Sequence, residues 1–363
     1  MAGLYVHIPF CRSRCIYCAF YSSTALTLRQ SYVDAVVREI QMRGASDIGT
    51  IYLGGGTPSQ LSPGQLRQIF DAIYIYNKVM PDAEVTMEVN PDDVTPEFAA
   101  VLNELPVNRV SMGVQTFSDD RLSWLHRRHT ARQAARAVGW LRQAGIHNLS
   151  IDLMYGFPNE TLEDWEDDIA AALSLNVEHL SAYCLTVEEG TALYQMHLPP
   201  LDEETERQMY YTLIERLEAA GYDHYELSNF ARQGFRSHHN SSYWTGIPYI
   251  GIGAAAHSYD IGTRSWNVSD IRQYIDAVMK GRRPYEEEVL DDDTRYNDMV
   301  TVALRTSEGL SLSLLSEHHR TYCLNAARPY LAKGQLVLEG QRLRLSKDAL
   351  FVSDMIMSEL MLV

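Results

Sequence analysis

The sequence predicts an α/β fold in which parallel strands alternate with crossover helices as an open or closed barrel, followed by a small helical domain carrying a β-wing. Three observations carry this expectation. Short, β-branched apolar runs recur six times, helical patterns stand between them, and each strand and helix pair fills roughly thirty residues, the length of a parallel strand with its return helix.

The runs are GLYVHI at 3–8, TIYLGG at 50–55, EVTMEV at 84–89, RVSMGV at 109–114, LSIDLMYG at 149–156 and LSAYCLT at 180–186. Between them LRQSYVDAVVREIQMRG, PGQLRQIFDAIYIY, TPEFAAVLNEL, ARQAARAVGWLRQAG and LEDWEDDIAAALSL space apolar residues three and four apart, with glycine or proline at their ends. A further helix at 204–221 leads into YDHYELSN, one more strand closing or flanking the barrel. Residues 230–268 are rich in Gly, Ser, His, Tyr and Trp without periodicity and read as a long ordered loop, a kind of segment that often carries function. From about 285, short helices precede QLVLEGQRLRLS, two alternating runs about a turn at Gly340. The acidic EEEVLDDD ahead of them favours a packing or lid role over DNA binding. The chain is thus expected to divide into a barrel at 1–228, a loop region at 229–284 and a small C-terminal domain at 285–363.

With 363 residues, 46% hydrophobic and 21% charged, the chain can bury at least one full core. Its 31 Lys and Arg against 47 Asp and Glu leave a net charge of -16, which disfavours nucleic acid and an anionic membrane surface as partners. MAGLYVHIPF lacks a basic, signal-length apolar segment and no later run reaches the length of a membrane span, so the expectation is a cytoplasmic protein. Five cysteines, an odd number with Cys184 and Cys323 far from the rest, do not form a disulfide framework.

Three of them, Cys11, Cys15 and Cys18, cluster in HIPFCRSRCIYCAFYS at 7–22, just after the first strand. A barrel keeps its chemistry at that rim. Three thiolates on an iron–sulfur cubane would leave one iron open for a small-molecule ligand. The competing possibility is a zinc knuckle with His7 as fourth ligand, although zinc sites usually pair two close couples of ligands and no second couple exists here. Inert packed cysteines are a third.

With YVHIPFC ahead of it and GGGTPS at 54–59, the Cys-x3-Cys-x2-Cys spacing resembles the radical S-adenosylmethionine (SAM) superfamily, built on a partial (β/α)6 barrel. The resemblance implies a [4Fe–4S] cluster on Cys11, Cys15 and Cys18, with the methionine moiety of SAM on the open iron. It also implies that Gly55, Gly56 and Thr57 border the methionine amino group. By itself, the glycine run reads either as a place where backbone amides approach a ligand or as a tight turn before a helix. Glu88 ends its strand at the rim, as a partner for a ligand ammonium or ribose or as a solvated carboxylate. Gln115 offers donor and acceptor, Arg127 a carboxylate fork, and Asp152 two acceptors suited to a ribose diol. Asp152 sits in an apolar strand, where an unpaired charge is costly. Arg128 lies beside Arg127, and a solvated basic helix face would account for both, though the resemblance favours Arg127. Tyr5 is either a cofactor contact or a core strand tyrosine.

The series YVHIPFC, GGGTPS, GVQTF, IDLMYGFP and YELSNFAR is similar to the oxygen-independent coproporphyrinogen III oxidase group. In the porphyrinogen dehydrogenases of that group a fourth cysteine follows the third by two positions, where this chain has Phe20. The group's haem chaperone branch carries His-Asn-x-x-Tyr-Trp, matched here by His239, Asn240, Tyr243 and Trp244, and GIGAAAHS at 251–258 follows. That branch commonly has Asp after the third cysteine, and this chain has Ala19. The resemblance implies haem binding and transfer to acceptor haemoproteins, without coproporphyrinogen dehydrogenase activity and with room for peripheral contact with membrane haemoproteins. The rival is a radical SAM enzyme converting coproporphyrinogen III to protoporphyrinogen IX. Imidazole, tyrosine and tryptophan suit a haem, but His239 and Trp244 would equally anchor a loop, and His238 or His257 could serve as ligand.

Overall fold

The computed structural model describes residues 1–362. Six strands follow one another in parallel: β1 (Ala2–Ile8), β2 (Asp47–Gly55), β3 (Lys78–Val89), β4 (Arg109–Gln115), β5 (Asn148–Tyr155) and β6 (His179–Cys184). Helices α1 (Arg29–Arg43), α2 (Pro63–Tyr76), α3 (Pro96–Glu104), α4 (Asp119–Trp124), α5 (Ala131–Gln143), α6 (Leu162–Ser174) and α7 (Glu203–Ala219) make the returns. Their starts are written in the sequence. Ser62, Thr130 and Thr161 form capping boxes, each hydroxyl accepting from the N3 amide while the N3 side chain accepts from the cap amide.

Alternation decides what each face of the sheet does. In β3, Val85, Met87 and Val89 lie in the core shared with the helices, whereas Glu84, Thr86 and Glu88 point the other way. The register lines these polar positions up across strands. Tyr5 stands opposite Tyr52 and Tyr52 opposite Thr86, Glu88 stands opposite Ser111, Ser111 opposite Ser150, and Asp152 opposite Ser181. One face is therefore a continuous polar floor. Asp152 belongs to it, so its strand is apolar on the other face only, and the Ser111 hydroxyl 3.4 Å away is the local partner that its charge calls for.

β7 (Asp223–Glu226) and β8 (Asn229–Ala231) add antiparallel strands beyond β6, so YDHYELSN flanks the parallel run. The expected loop at 230–268 is not a loop. It contains α8 (His238–Trp244) and strands β9 (Tyr249–Ile252), β10 (His257–Asp260) and β11 (Thr263–Asn267). β9 pairs in parallel with β1, where Gly251 leaves no room for a side chain against His257. The order is β12-β11-β10-β9-β1-β2-β3-β4-β5-β6-β8-β7, so among the described residues no strand pairing closes the barrel.

The acidic run, read as the preface to the C-terminal segment, is instead β12 (Tyr285–Val289), the outer edge of this large sheet, with Asp291 capping the next helix. α9 (Ile271–Met279) packs on α1. Buried Glu39 on α1 ties the added strands in place: it accepts from the Gly253 amide, the Asn267 side chain and the Tyr274 hydroxyl. α10 (Asp292–Ala303), α11 (Glu317–Ala332) and α12 (Ser353–Leu360) enclose a second apolar core with the antiparallel strands β13 (Leu310–Ser311), β14 (Leu336–Glu339) and β15 (Arg342–Leu345). The β14–β15 hairpin turns at Gly340, where φ is +60°. No helix among the described residues is long and apolar enough to cross a membrane.

Candidate functional site

The cysteine loop leaves β1 at Pro9 and returns at Ser23, whose amide donates to the Pro9 carbonyl. Its middle is pinned by Ile16, buried among Leu125, Met154, Phe157 and Leu193, with its amide donating to the Leu125 carbonyl. Cys11, Cys15 and Cys18 are free and half-buried on this loop. Burial pushes the Cys11 and Cys18 thiols up, so a metal centre rather than the protein field would have to ionise them. Among the described residues no three His, Cys, Asp or Glu side chains group as a single-ion site. His7 is spoken for: its ring nitrogens join the Tyr5 hydroxyl and the Tyr21 carbonyl, each at 3.0 Å, and burial lowers its pKa to about 4. The zinc alternative with His7 as ligand would have to break one of these bonds.

The glycine run sits under the cysteine loop, and close packing explains it. A Cβ on Gly55, where φ is +105°, would run into the His7 ring; one on Gly56 would meet the Ile8 carbonyl at 2.7 Å. The Gly55 amide donates to Glu88 and the Gly56 amide to Ile8, so these two amides are not presented to a ligand as the glycine-cradle expectation required. Thr57 does face the cysteines, with its hydroxyl 3.5 Å from the Cys11 sulfur.

Glu88 accepts from the Tyr52 hydroxyl at 2.7 Å and the Gly55 amide at 3.0 Å. Burial lifts its pKa to about 7, with the nearby Asp152 charge adding to the rise. Asp152 itself is lifted to about 6 by burial and held back by Arg109. Burial thus disfavours the charge on both floor carboxyls, and a nearby cation would favour their ionised forms. Gln115 takes a left-handed conformation, φ +73°, at the bulge ending β4. Such strain in a side-chain-bearing residue is typical of ligand sites.

The Arg127 and Arg128 ambiguity resolves by partner. Arg127 donates to Asn90 and to the Gly113 carbonyl, and lies 3.6 Å from the Cys15 sulfur. Arg128 pairs outward with Asp92 and Asp93. Tyr5 stacks on Tyr52, ring centroids 6.1 Å apart, with its hydroxyl spent on His7. Asn90 escaped sequence reasoning, yet it links Thr57 to Arg127; its only signal is its place at a strand end beside Glu88. Gln60 was missed as well. It accepts from Arg12 and donates to Asp93, clamping the cysteine loop to the turn after β2.

The His-Asn-x-x-Tyr-Trp residues lie on α8 and touch this rim through Tyr52, the hydroxyl donor to Glu88. His239 is fully buried, with Nδ1 2.8 Å from the Thr50 hydroxyl and Nε2 2.8 Å from the Tyr243 hydroxyl. Its ring stacks on Tyr52, and burial lowers its pKa to about 3. Tyr243 meets Tyr249 edge-on, Trp244 lies under the Arg305 guanidinium, and the Asn240 amide donates to the Ser237 cap. The motif as folded anchors α8 to β2 and to the C-terminal helices.

A half-buried cysteine triplet, a polar sheet floor and strand-end carboxyls at one rim define a radical SAM architecture. The model of the radical SAM superfamily matches residues 5–172. The haem chaperone HemW of Bacillus subtilis (strain 168) is 39% identical over 88% of this chain and 87% of its own, and that of Mycobacterium tuberculosis (strain ATCC 25618 / H37Rv) is 34% identical over 99% and 94%. Among solved structures, coproporphyrinogen III oxidase (HemN) from Escherichia coli, a radical SAM enzyme, superposes with a TM-score of 0.86 at 21% identity, covering 99% of this chain and 89% of that one; a likeness at that identity speaks for the fold alone. The chain belongs to the HemW family of radical SAM proteins. Membership implies a [4Fe–4S] cluster and SAM, and the residues fit both: three free thiols on one pinned loop, a cationic guanidinium against Cys15, and raised-pKa carboxyls on the adjoining floor. The cluster would supply soft-ligand iron chemistry with an open coordination position.

Proposed function

We propose that this protein binds haem and hands it to acceptor haemoproteins in the cytoplasm, with the cluster and SAM tuning docking or handover rather than oxidising a substrate. Cys11, Cys15 and Cys18 hold the cluster in this reading. Gly55, Gly56, Thr57, Glu88, Gln115, Arg127, Asp152 and Tyr5 border SAM, and for the two glycines this means shaping the wall rather than donating amides. The observation that carries the proposal is identity of 34–39% with haem chaperones over nearly the whole chain, beside Phe20, 70% exposed, where the porphyrinogen dehydrogenases place a cysteine.

One anaerobic sample, cluster-loaded and mixed with haem and SAM, tests it. The expected result is a perturbed Soret band and transfer to an apo-haemoprotein without stoichiometric 5′-deoxyadenosine. Conversion of coproporphyrinogen III to protoporphyrinogen IX with matching deoxyadenosine and methionine would replace the proposal with the enzyme.

A further inference from the structure

We propose that haem docks on the loop following β6, residues 185–201, with the His197 imidazole as an axial ligand to its iron; this rests on the haem-carrier function above. Four large apolar side chains are exposed between 187 and 198: Val187, Tyr194, Met196 and Leu198. Single exposed apolar residues are ordinary, but a concentration of them marks a binding surface.

The surface is held in place rather than loose. The Leu193 amide donates to the Ile16 carbonyl at 2.8 Å, the Leu185 amide donates to the Tyr155 carbonyl at 2.7 Å, and Leu193 is buried with Ile16 and Phe157. Ile16 lies between Cys15 and Cys18, so the loop is bonded directly to the cysteine loop. His197 closes a 3-10 turn, Tyr194–Met196, in a left-handed conformation with φ +48°. Its ring is exposed and, among the described residues, neither ring nitrogen is hydrogen-bonded; the Tyr194 ring lies 6.2 Å away.

An imidazole with a free nitrogen, an adjacent thioether and an apolar, aromatic surround match a flat macrocycle with an iron at its centre. The three histidines that the sequence offered as haem ligands serve less well. His239 would have to give up Thr50 or Tyr243. His238 lies in a hollow of about 380 Å³ lined by the charged Asp223, Arg232 and Arg236, and the His257 ring is stacked on Trp266. The loop also lies beyond residue 172, outside the stretch that the superfamily model covers, as a feature serving haem rather than SAM would.

The full, cluster-loaded chain is titrated with ferric haem under anaerobic conditions. Binding is followed by the Soret difference spectrum against haem-free protein and by the electron paramagnetic resonance of the ferric haem. His197→Gly, which suits the left-handed backbone, is expected to weaken binding about tenfold and to lose the imidazole-ligated signature, with added imidazole restoring it; His257→Ala is expected to keep it. If His197→Gly keeps the wild-type signature, or His257→Ala alone loses it, the assignment of His197 is overturned. A wild-type chain that takes up no haem would instead defeat the carrier function on which the assignment rests.

Discussion

With Glu88 bordering SAM as proposed, SAM binding is expected to depend on pH in a set direction. The Glu88 carboxyl is pushed up to about 7, chiefly by burial, so near neutrality the free protein holds it part protonated. A SAM molecule carries a permanent positive charge on its sulfonium and is favoured by the ionised carboxylate. With a single group titrating at about 7, the ionised fraction is about 0.9 at pH 8 and about 0.1 at pH 6, so the Glu88 contribution to affinity falls about tenfold across that range. Asp152, lifted to about 6, extends the decline to lower pH. The assay is equilibrium binding of SAM to anaerobic, cluster-loaded protein at pH 6, 7 and 8, for the wild type and for Glu88→Gln. Any titration of the SAM amino group is common to both proteins, so the quantity read is the ratio of wild-type to variant affinity. A ratio that stays flat from pH 8 to pH 6 would refute the role given to Glu88.

Three further outcomes are expected. Gly55→Ala forces a left-handed backbone on a residue with a Cβ, costing roughly 1–2 kcal/mol before the clash with His7 is added, and should lower the thermal midpoint and the iron content together; Gly64→Ala, at an open position in α2, should be neutral or slightly stabilising in the same melts. Arg127→Lys removes the fork spanning Asn90, Gly113 and Cys15 and should speed iron loss to a chelator, whereas Arg128→Ala should not, as iron and sulfide assays would show. His239→Ala leaves the Thr50 and Tyr243 hydroxyls without their buried partner and should cost about 1–3 kcal/mol in urea denaturation.

The parallel run was legible because each strand is apolar on one face and the capping boxes mark the helix starts; β1, β2 and β4 to β6 begin or end within a few residues of the expected runs. β3 begins well before EVTMEV because KVMPDA, with its proline, carries no strand pattern. The segment after 230 was illegible for a different reason. β9 to β11 are four or five residues long, and their order comes from tertiary partners: β1 for β9, and buried Glu39 for the turn after it. The site was readable as residue types but not as bonding. Sequence marks the glycine run yet cannot show that the Gly55 and Gly56 amides are used internally, nor that His239, the histidine of the His-Asn-x-x-Tyr-Trp motif, has both nitrogens engaged. The polar floor was there to be seen in the alternation of EVTME and LSID, which composition alone does not reveal.

The parallel pairing of β9 with β1 has a consequence for biosynthesis. Gly3 finds its partner Tyr249 only 246 positions later, which at ribosomal speeds of about 5–20 residues per second is a wait of about 12–50 s. Throughout that interval the first strand of the nascent protein keeps a bare outer edge, and the Glu39 carboxylate lacks its donors, the Gly253 amide, the Asn267 side chain and the Tyr274 hydroxyl. A chain ended at residue 228 would be frozen in that state, open to edge-to-edge aggregation, so the first two thirds are expected to become a durable body only after the later strands emerge.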